Sequence, residues 1–492
     1  MAFTTRSREW IDNSTPFYVL ILGVGVIFSI VGGVAQSAQA DSDSDRDRGS
    51  GSRRRVELPQ ALTDADFHPT GPQFEEKVEL GRLLMFDKVL SGNRNIACAT
   101  CHHPTTGTGD GLALPVGEGG FGLGPARDSN EGALAHVEGR VPRNAPPVYN
   151  LAAREFTALF HDGRLAVDFS EPSGFVSPAG DQMPVGCHVD PTPPCIENIL
   201  AAQALFPVTS GLEMAGQPHE NAVGAAGHAG TLAGPGGVWD LLARRLREIP
   251  EYVELFKAAF PAHVRRAEDV TYVDAANAIG AFEAATWRSD QSAFDRYLRG
   301  EKGALSRDQK RGMRLFYGDA GCAGCHSGSL QTDQEFHAVG MPQIGPGKGD
   351  GISGQEDFGR YRVTGRDEDL FAFRTPSLRN VTVTGPWGHA GAYSDLRKAV
   401  VHHLDVAGGL QGYGFDARLA LDADQTSTDY HVMQSPPLVD ALIEESEVDP
   451  VELSDEEVDR LMDFLFALTD MRVLTDRSEI PFRVPSGLAV AD

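Results

Sequence analysis

Residues 98–102 read CATCH and residues 322–326 read CAGCH. Paired cysteines two residues apart, each pair followed at once by histidine, suit three chemistries: zinc binding, thiol redox and covalent haem. A zinc site needs further ligands at short spacing, and no second CxxC lies near either pair. A thioredoxin-like redox pair belongs in a βαβ pattern, which neither pair has. Haem c attachment explains the spacing: two thiols add to the two vinyl groups of one haem, and the following histidine lies beneath the ring as proximal iron ligand. The chain thus carries two expected haem c sites, Cys98, Cys101 and His102 in one and Cys322, Cys325 and His326 in the other.

The elements that position these motifs come in two rounds. LGRLLMF (80–86) precedes the first motif and RGMRLF (311–316) the second. RNAPPVYN (143–150) follows the first and RTPSLRN (374–380) the second. His161 stands eleven residues after Asn150 in FHDGR, and His389 nine residues after Asn380 in GHAGA. Their common order predicts two related haem domains. Apolar periodicity predicts a helix through EEKVELGRLLMF, helices over 239–260 broken at Pro250, and helices over 269–287, 306–318 and 454–468. Ser454 and the acidic residues after it mark the start of the last. Strand signals are few, and the irregular stretches 105–140, 163–198 and 328–372 are expected to wrap the haems.

The apolar run from Phe17 to Ala35 ends in Ser37-Ala38-Gln39-Ala40 before Asp41, the pattern of a signal-peptidase site. Its length and weakly basic front also suit a retained anchor. Either reading exports the remainder, with a periplasmic location expected. The expected organisation is a signal peptide or anchor (1–40), a disordered linker (41–70), an N-terminal haem domain (71–300), a C-terminal haem domain (301–475) and a tail (476–492). In an oxidising compartment Cys187 and Cys195, in CHVDPTPPC, are expected to form a disulfide; the alternative is two free buried thiols. A formal net charge of −26 over 492 residues argues against nucleic acid and attracts a basic partner.

From about Leu80 to Leu468 the order of motifs resembles the bacterial di-haem cytochrome c peroxidases and their MauG-type relatives. LGRLLMFDKVLS, CATCH, PRNAPPVYN, FHDGR, AAQALFPVTSGLEMAG, GCAGCHSG and FRTPSLRNVTVTGPWGHAGAYSDLRKAV carry the resemblance. It implies a mainly α fold of two cytochrome c-like domains related by duplication, with a peroxidatic haem in the first and an electron-transferring haem in the second. Peroxide cleavage needs an acid–base group on the open face of the iron. The resemblance places Glu213 there, with Gln203 ten residues earlier as its hydrogen-bonding partner.

Two departures stand out. Glu118 occupies the position of a histidine that blocks the peroxidatic iron in many relatives, so an open iron is expected; His136 is a substitute ligand or a surface residue. His161 stands where relatives often carry a tryptophan between the haems, and histidine is harder to oxidise. The distal ligand of the second haem falls on His403, beside His402, with Met433 as a fallback. The resemblance also implies calcium held by Asn144, Thr384 and Pro386, with Trp387 next to it between the haems or in the core. Hydrogen peroxide is the implied substrate, and a small cytochrome c or cupredoxin the donor. The alternatives are a MauG-like oxidase of a protein or organic substrate, and a non-catalytic di-haem electron carrier. Relatives are often homodimers.

Overall fold

A computed structural model describes residues 57–68, 71, 73–128, 137–415, 417, 419 and 429–490. The expected leader and most of the expected linker therefore lie outside the described residues, as does His136. Within the linker stretch, Leu62 is buried and Asp64–Asp66 forms a 3-10 turn, so its last residues belong to the fold. Ser44–Asp492 groups as one compact unit.

The described chain is mostly helix and loop. Its strands, two or three residues each, form a three-stranded and a two-stranded antiparallel sheet. The expected helices are present at Phe74–Phe86, Val238–Arg247, Pro250–Ala259, Tyr272–Thr286, Arg307–Phe316 and Asp455–Ala467. Pro250 opens a new helix because it has no N–H to donate and its fixed φ suits a first turn. Ser454 caps the last helix by accepting from Glu457 N, and Glu457 answers with a bond to Ser454 N.

The duplication is visible atom by atom. In the first half, Phe74–Phe86 crosses Tyr272–Thr286 at Gly81, where an added Cβ would lie 1.9 Å from Ala278 O and 2.9 Å from Phe282 Cβ. In the second, Arg307–Phe316 crosses Asp455–Ala467 at Gly312, where a Cβ would lie 1.8 Å from Arg460 O and 2.9 Å from Phe464 Cβ. Asn150 and Asn380 both adopt left-handed φ, 60° and 61°. Asn150 clasps the chain beyond the first crossing through Trp287 O and the backbone of Ser289. Asn380 does the same beyond the second, taking Leu468 O and Asp470 N. A glycine crossing followed by an asparagine clasp thus frames each CxxCH motif.

One large apolar cluster fills the first half around Leu80, Leu84, Phe256 and Phe282. The second half has two clusters, one around Phe316, Leu461 and Phe464 and one around Tyr393, Leu410 and Val439. The stretch read as a tail is docked: Val484 is buried in the first-half cluster, and Ser486 Oγ donates to Asp87 at 2.7 Å.

Gly81→Ala should destabilise the protein by about 1–3 kcal/mol, because its methyl must force two helix backbones apart. Gly303→Ala, with no atom within 4 Å of its Cβ, should leave the urea midpoint in place.

Candidate active site

The two motif histidines are held alike. His102 Nδ1 lies 3.0 Å from Thr108 O, and His326 Nδ1 lies 3.2 Å from Gln331 O. Each ring also faces the backbone of a proline in the repeated turn motif, Pro146 or Pro376. An Nδ1–H donated to a carbonyl fixes the tautomer and leaves Nε2 for a metal. Cys98, Cys101, Cys322 and Cys325 form no disulfide. Burial pushes the Cys98 thiol up to about 12 and the Cys322 thiol up to about 11, against thiolate chemistry. Neutral thiol pairs beside an imidazole with a free Nε2 fit haem c in both halves. Cys187 and Cys195 are bonded to each other.

Glu213 sits in a π-helical turn, Gly211–Ala215, whose start is capped by Ser210 Oγ accepting from Glu213 N at 3.3 Å. Such turns displace a side chain from the ordinary helical path and recur at functional sites. Burial raises the Glu213 carboxyl above the usual glutamate range, and the charges of Arg164 and Lys348 oppose that rise. Its charge is felt at Cys101, which places it beside the first motif. Gln203 ends the Ile199–Gln203 helix and is partly exposed. Among the described residues no hydrogen bond joins its side chain to Glu213.

Glu118 is buried, and its Oε1 accepts from Asn93 Nδ2 at 2.5 Å. Its backbone N–H donates to Leu212 O at 3.0 Å, so its loop leans on the turn that carries Glu213. Oε2 has no partner. Arg127, 1 % exposed, holds this loop by donating to the carbonyls of Val116, Gly117 and Gly122.

Where the halves meet, Asn144 is the hub. Its carbonyl takes His161 Nε2 at 3.1 Å, its N–H donates to His389 O, and its Nδ2 donates to Pro386 O at 2.8 Å. Burial first, then the Arg143 charge, lowers His161 to about 3; burial lowers His389 to about 4. Both rings are therefore neutral. His389 stacks on Phe373, and among the described residues neither of its nitrogens has a hydrogen-bond partner. Of the expected calcium residues, Asn144 and Pro386 are hydrogen-bonded to each other, and a cation there would require the Asn144 amide to turn its oxygen inward. Thr384 Oγ1 and Trp387 Nε1 both donate to Val381 O, a pairing that leaves the Thr384 backbone oxygen uninvolved.

His402 and His403 are separated as helical neighbours must be. His402 is buried, with Nε2 on Gly340 O and Nδ1 on the Tyr393 hydroxyl, so both nitrogens are engaged. His403 uses only Nδ1, on Ala399 O at 2.7 Å, and its charge is felt at His326. Met433 lies within an apolar cluster.

Sequence reasoning overlooked Arg127, Lys348 and a buried ion network. Arg143 forks onto Asp357 at 2.7 and 2.8 Å and reaches Asp162 at 2.6 Å. Arg140 pairs with Asp429, also buried. The only signal was charge within otherwise apolar or glycine-rich segments.

Residues 75–303 match the family model described as di-haem cytochrome c peroxidase. The chain is 30% identical over 352 residues to methylamine utilization protein MauG of Methylorubrum extorquens, covering 72% of this chain and 74% of that one. It is 29% identical to cytochrome c551 peroxidase of Pseudomonas aeruginosa, covering 70% and 75%. Among solved structures, a MauG-like protein associated with microbial copper homeostasis superposes with a TM-score of 0.52 at 23% identity, covering 86% and 96%. The diheme peroxidase BthA from Burkholderia thailandensis superposes at 0.51 with 20% identity, covering 85% and 92%.

Proposed function

The chain belongs to the di-haem cytochrome c peroxidase family, and on that premise we propose that it is an exported peroxidase reducing hydrogen peroxide to water with electrons from a small cytochrome c or cupredoxin. Cys98, Cys101 and His102 would hold the peroxidatic haem, and Cys322, Cys325, His326 and His403 the electron-transferring one. Bound haem supplies the redox-active iron on which peroxide is reduced. The chain's own contribution is a proton path: the Glu213 carboxylate takes the proton from one peroxide oxygen and hands it to the other, which leaves as water. Two electrons and two further protons complete the balance, giving two waters. Gln203, at the end of the preceding helix, orients the peroxide by hydrogen bonding.

The observation that carries this reading is the placement of Glu213: a desolvated carboxyl on a π turn, beside the first CxxCH motif. The pinned Glu118 supports an iron that needs no prior reduction, because its Oε1 is already held by Asn93. Electrons enter at the second motif, whose Gly321, Gly324 and Gly328 are exposed. The acidic surface suits a basic donor. Calcium between Asn144 and Pro386 would tie the halves together.

The test is to mix the oxidised, haem-loaded protein, as isolated, with reduced small cytochrome c and hydrogen peroxide. Prompt donor oxidation is expected. Turnover only after partial reduction would overturn the open-iron reading. Turnover in neither state would favour the alternative, a MauG-like oxidase of a protein or organic substrate.

His403→Met should raise the midpoint potential of one haem, because thioether ligation favours the reduced iron. Spectroelectrochemistry reads this directly; unchanged potentials would remove His403 from the ligand set.

A further inference from the structure

Cationic side chains crowd the segment that carries His161. Arg143 and Arg164 share Asp162, and Arg143 also holds Asp357. Arg360 donates to the carbonyls of Asp162 and Gly163 and lies within reach of the Asp369 and Asp162 charges. Arg374 differs. Its backbone N–H donates to His161 O at 2.8 Å, its Nη1 to Gln334 Oε1 at 3.0 Å, and its Nε approaches Phe160 O at 3.5 Å. None of these partners is charged. Among the described residues no carboxylate pairs with Arg374, and burial alone lowers its basicity to about 10. The neighbouring Gln334 Nε2 is buried without an acceptor.

A half-buried guanidinium without a counter-ion is unfavourable, and so is a buried amide donor without an acceptor. Here a guanidinium with no carboxylate partner and the unmet Gln334 Nε2 donor lie on side chains already bonded to each other, which defines a site for an anion that accepts from both. Its place in the fold says which anion. Gln334 lies in the loop that follows the second CxxCH motif, and Arg374 precedes by two residues the Pro376 backbone that faces His326. Haem c carries two propionates, and a carboxylate matches the guanidinium fork. Resting on the di-haem reading, we infer that Arg374 and Gln334 form the anchor for a propionate of the C-terminal haem.

The experiment uses the full-length haem-loaded protein with Arg374→Gln and Arg374→Lys. Resonance Raman spectra report the propionate bending band, and spectroelectrochemistry reports both midpoint potentials. In Arg374→Gln the band should move towards weaker hydrogen bonding, and the potential of the C-terminal haem should fall as a fixed positive charge is lost. Arg374→Lys should keep most of the potential while its band still shifts, since an ammonium cannot fork. This variant decides the matter alone if the glutamine variant does not fold.

An unchanged band and potential, or changes confined to the N-terminal haem, would overturn the inference. A saturable shift of the native potential on titration with inorganic phosphate would also overturn it, by showing that the site takes a free anion. Failure of haem to attach at Cys322 and Cys325 would instead strike the di-haem reading itself.

Discussion

Replacing Glu213 by glutamine should lower peroxide turnover by about 10²–10⁴-fold, the usual worth of a positioned acid–base group. Glutamine keeps the shape and the hydrogen-bonding reach but cannot carry the proton between the two oxygens. Stopped-flow oxidation of a reduced cytochrome c donor measures the loss, and unchanged haem spectra would show that the sites remain assembled. The pH profile provides a second check. Burial raises the Glu213 carboxyl, with Arg164 and Lys348 opposing. The group must be ionised to accept the first proton, so activity should fall on the acid side at a pH above the ordinary glutamate range. That limb should disappear in the variant. Retention of native turnover by Glu213→Gln would assign the acid–base work elsewhere.

The largest effect on stability is expected at Arg143. It ties Asp162 in the first half to Asp357 in the second, 214 residues from Arg143, and all three side chains are 3–6% exposed. Arg143→Ala leaves two buried carboxylates without their shared cation, a loss of about 3–5 kcal/mol. Burial by itself would raise both carboxyls, but the Arg143 charge and hydrogen bonds outweigh it and hold Asp162 and Asp357 below the usual aspartate range. Folded-state values that are depressed mean stabilisation present above the unfolded value and lost as pH falls through the folded one. The gap between native and variant urea midpoints should therefore be full at neutral pH, begin to shrink near pH 3.8 and close only as pH falls through the depressed folded-state values. An equal gap at all pH values would show that the loss is packing rather than charge.

These two residues mark how far the sequence alone could be read. The CxxCH motifs are local, so their spacing sufficed, and the helices followed from apolar periodicity with caps such as Ser454. Glycine inside a helix costs stability, and the reason for Gly81 and Gly312 lies in partner helices roughly two hundred and one hundred and fifty residues away, as the positions of Ala278 and Arg460 show. Glu213 was found through its neighbours in SGLEM, but its π turn has no periodic signature. Arg127 and Arg143 are buried and Arg374 is half-buried although charged residues normally read as surface, and only the folded chain brings carbonyls or carboxylates to them. The reading of His403 over His402 rests on position; the difference in their partners, both nitrogens engaged on Gly340 and Tyr393 in His402, is legible only in the fold.

The twin glycine crossings have a consequence for how the molecule breathes. Where two helix backbones touch without intervening side chains, local opening requires the helices to part as whole bodies. Amides flanking Gly81 and Gly312 should thus exchange with deuterium later than those of the glycine-rich loops at 117–124 and 345–354. Equal protection at the two crossings would mean that both halves open only in one global event. Earlier exchange at Gly312 would reveal a partly open form in which the duplicated ancestor's autonomy survives.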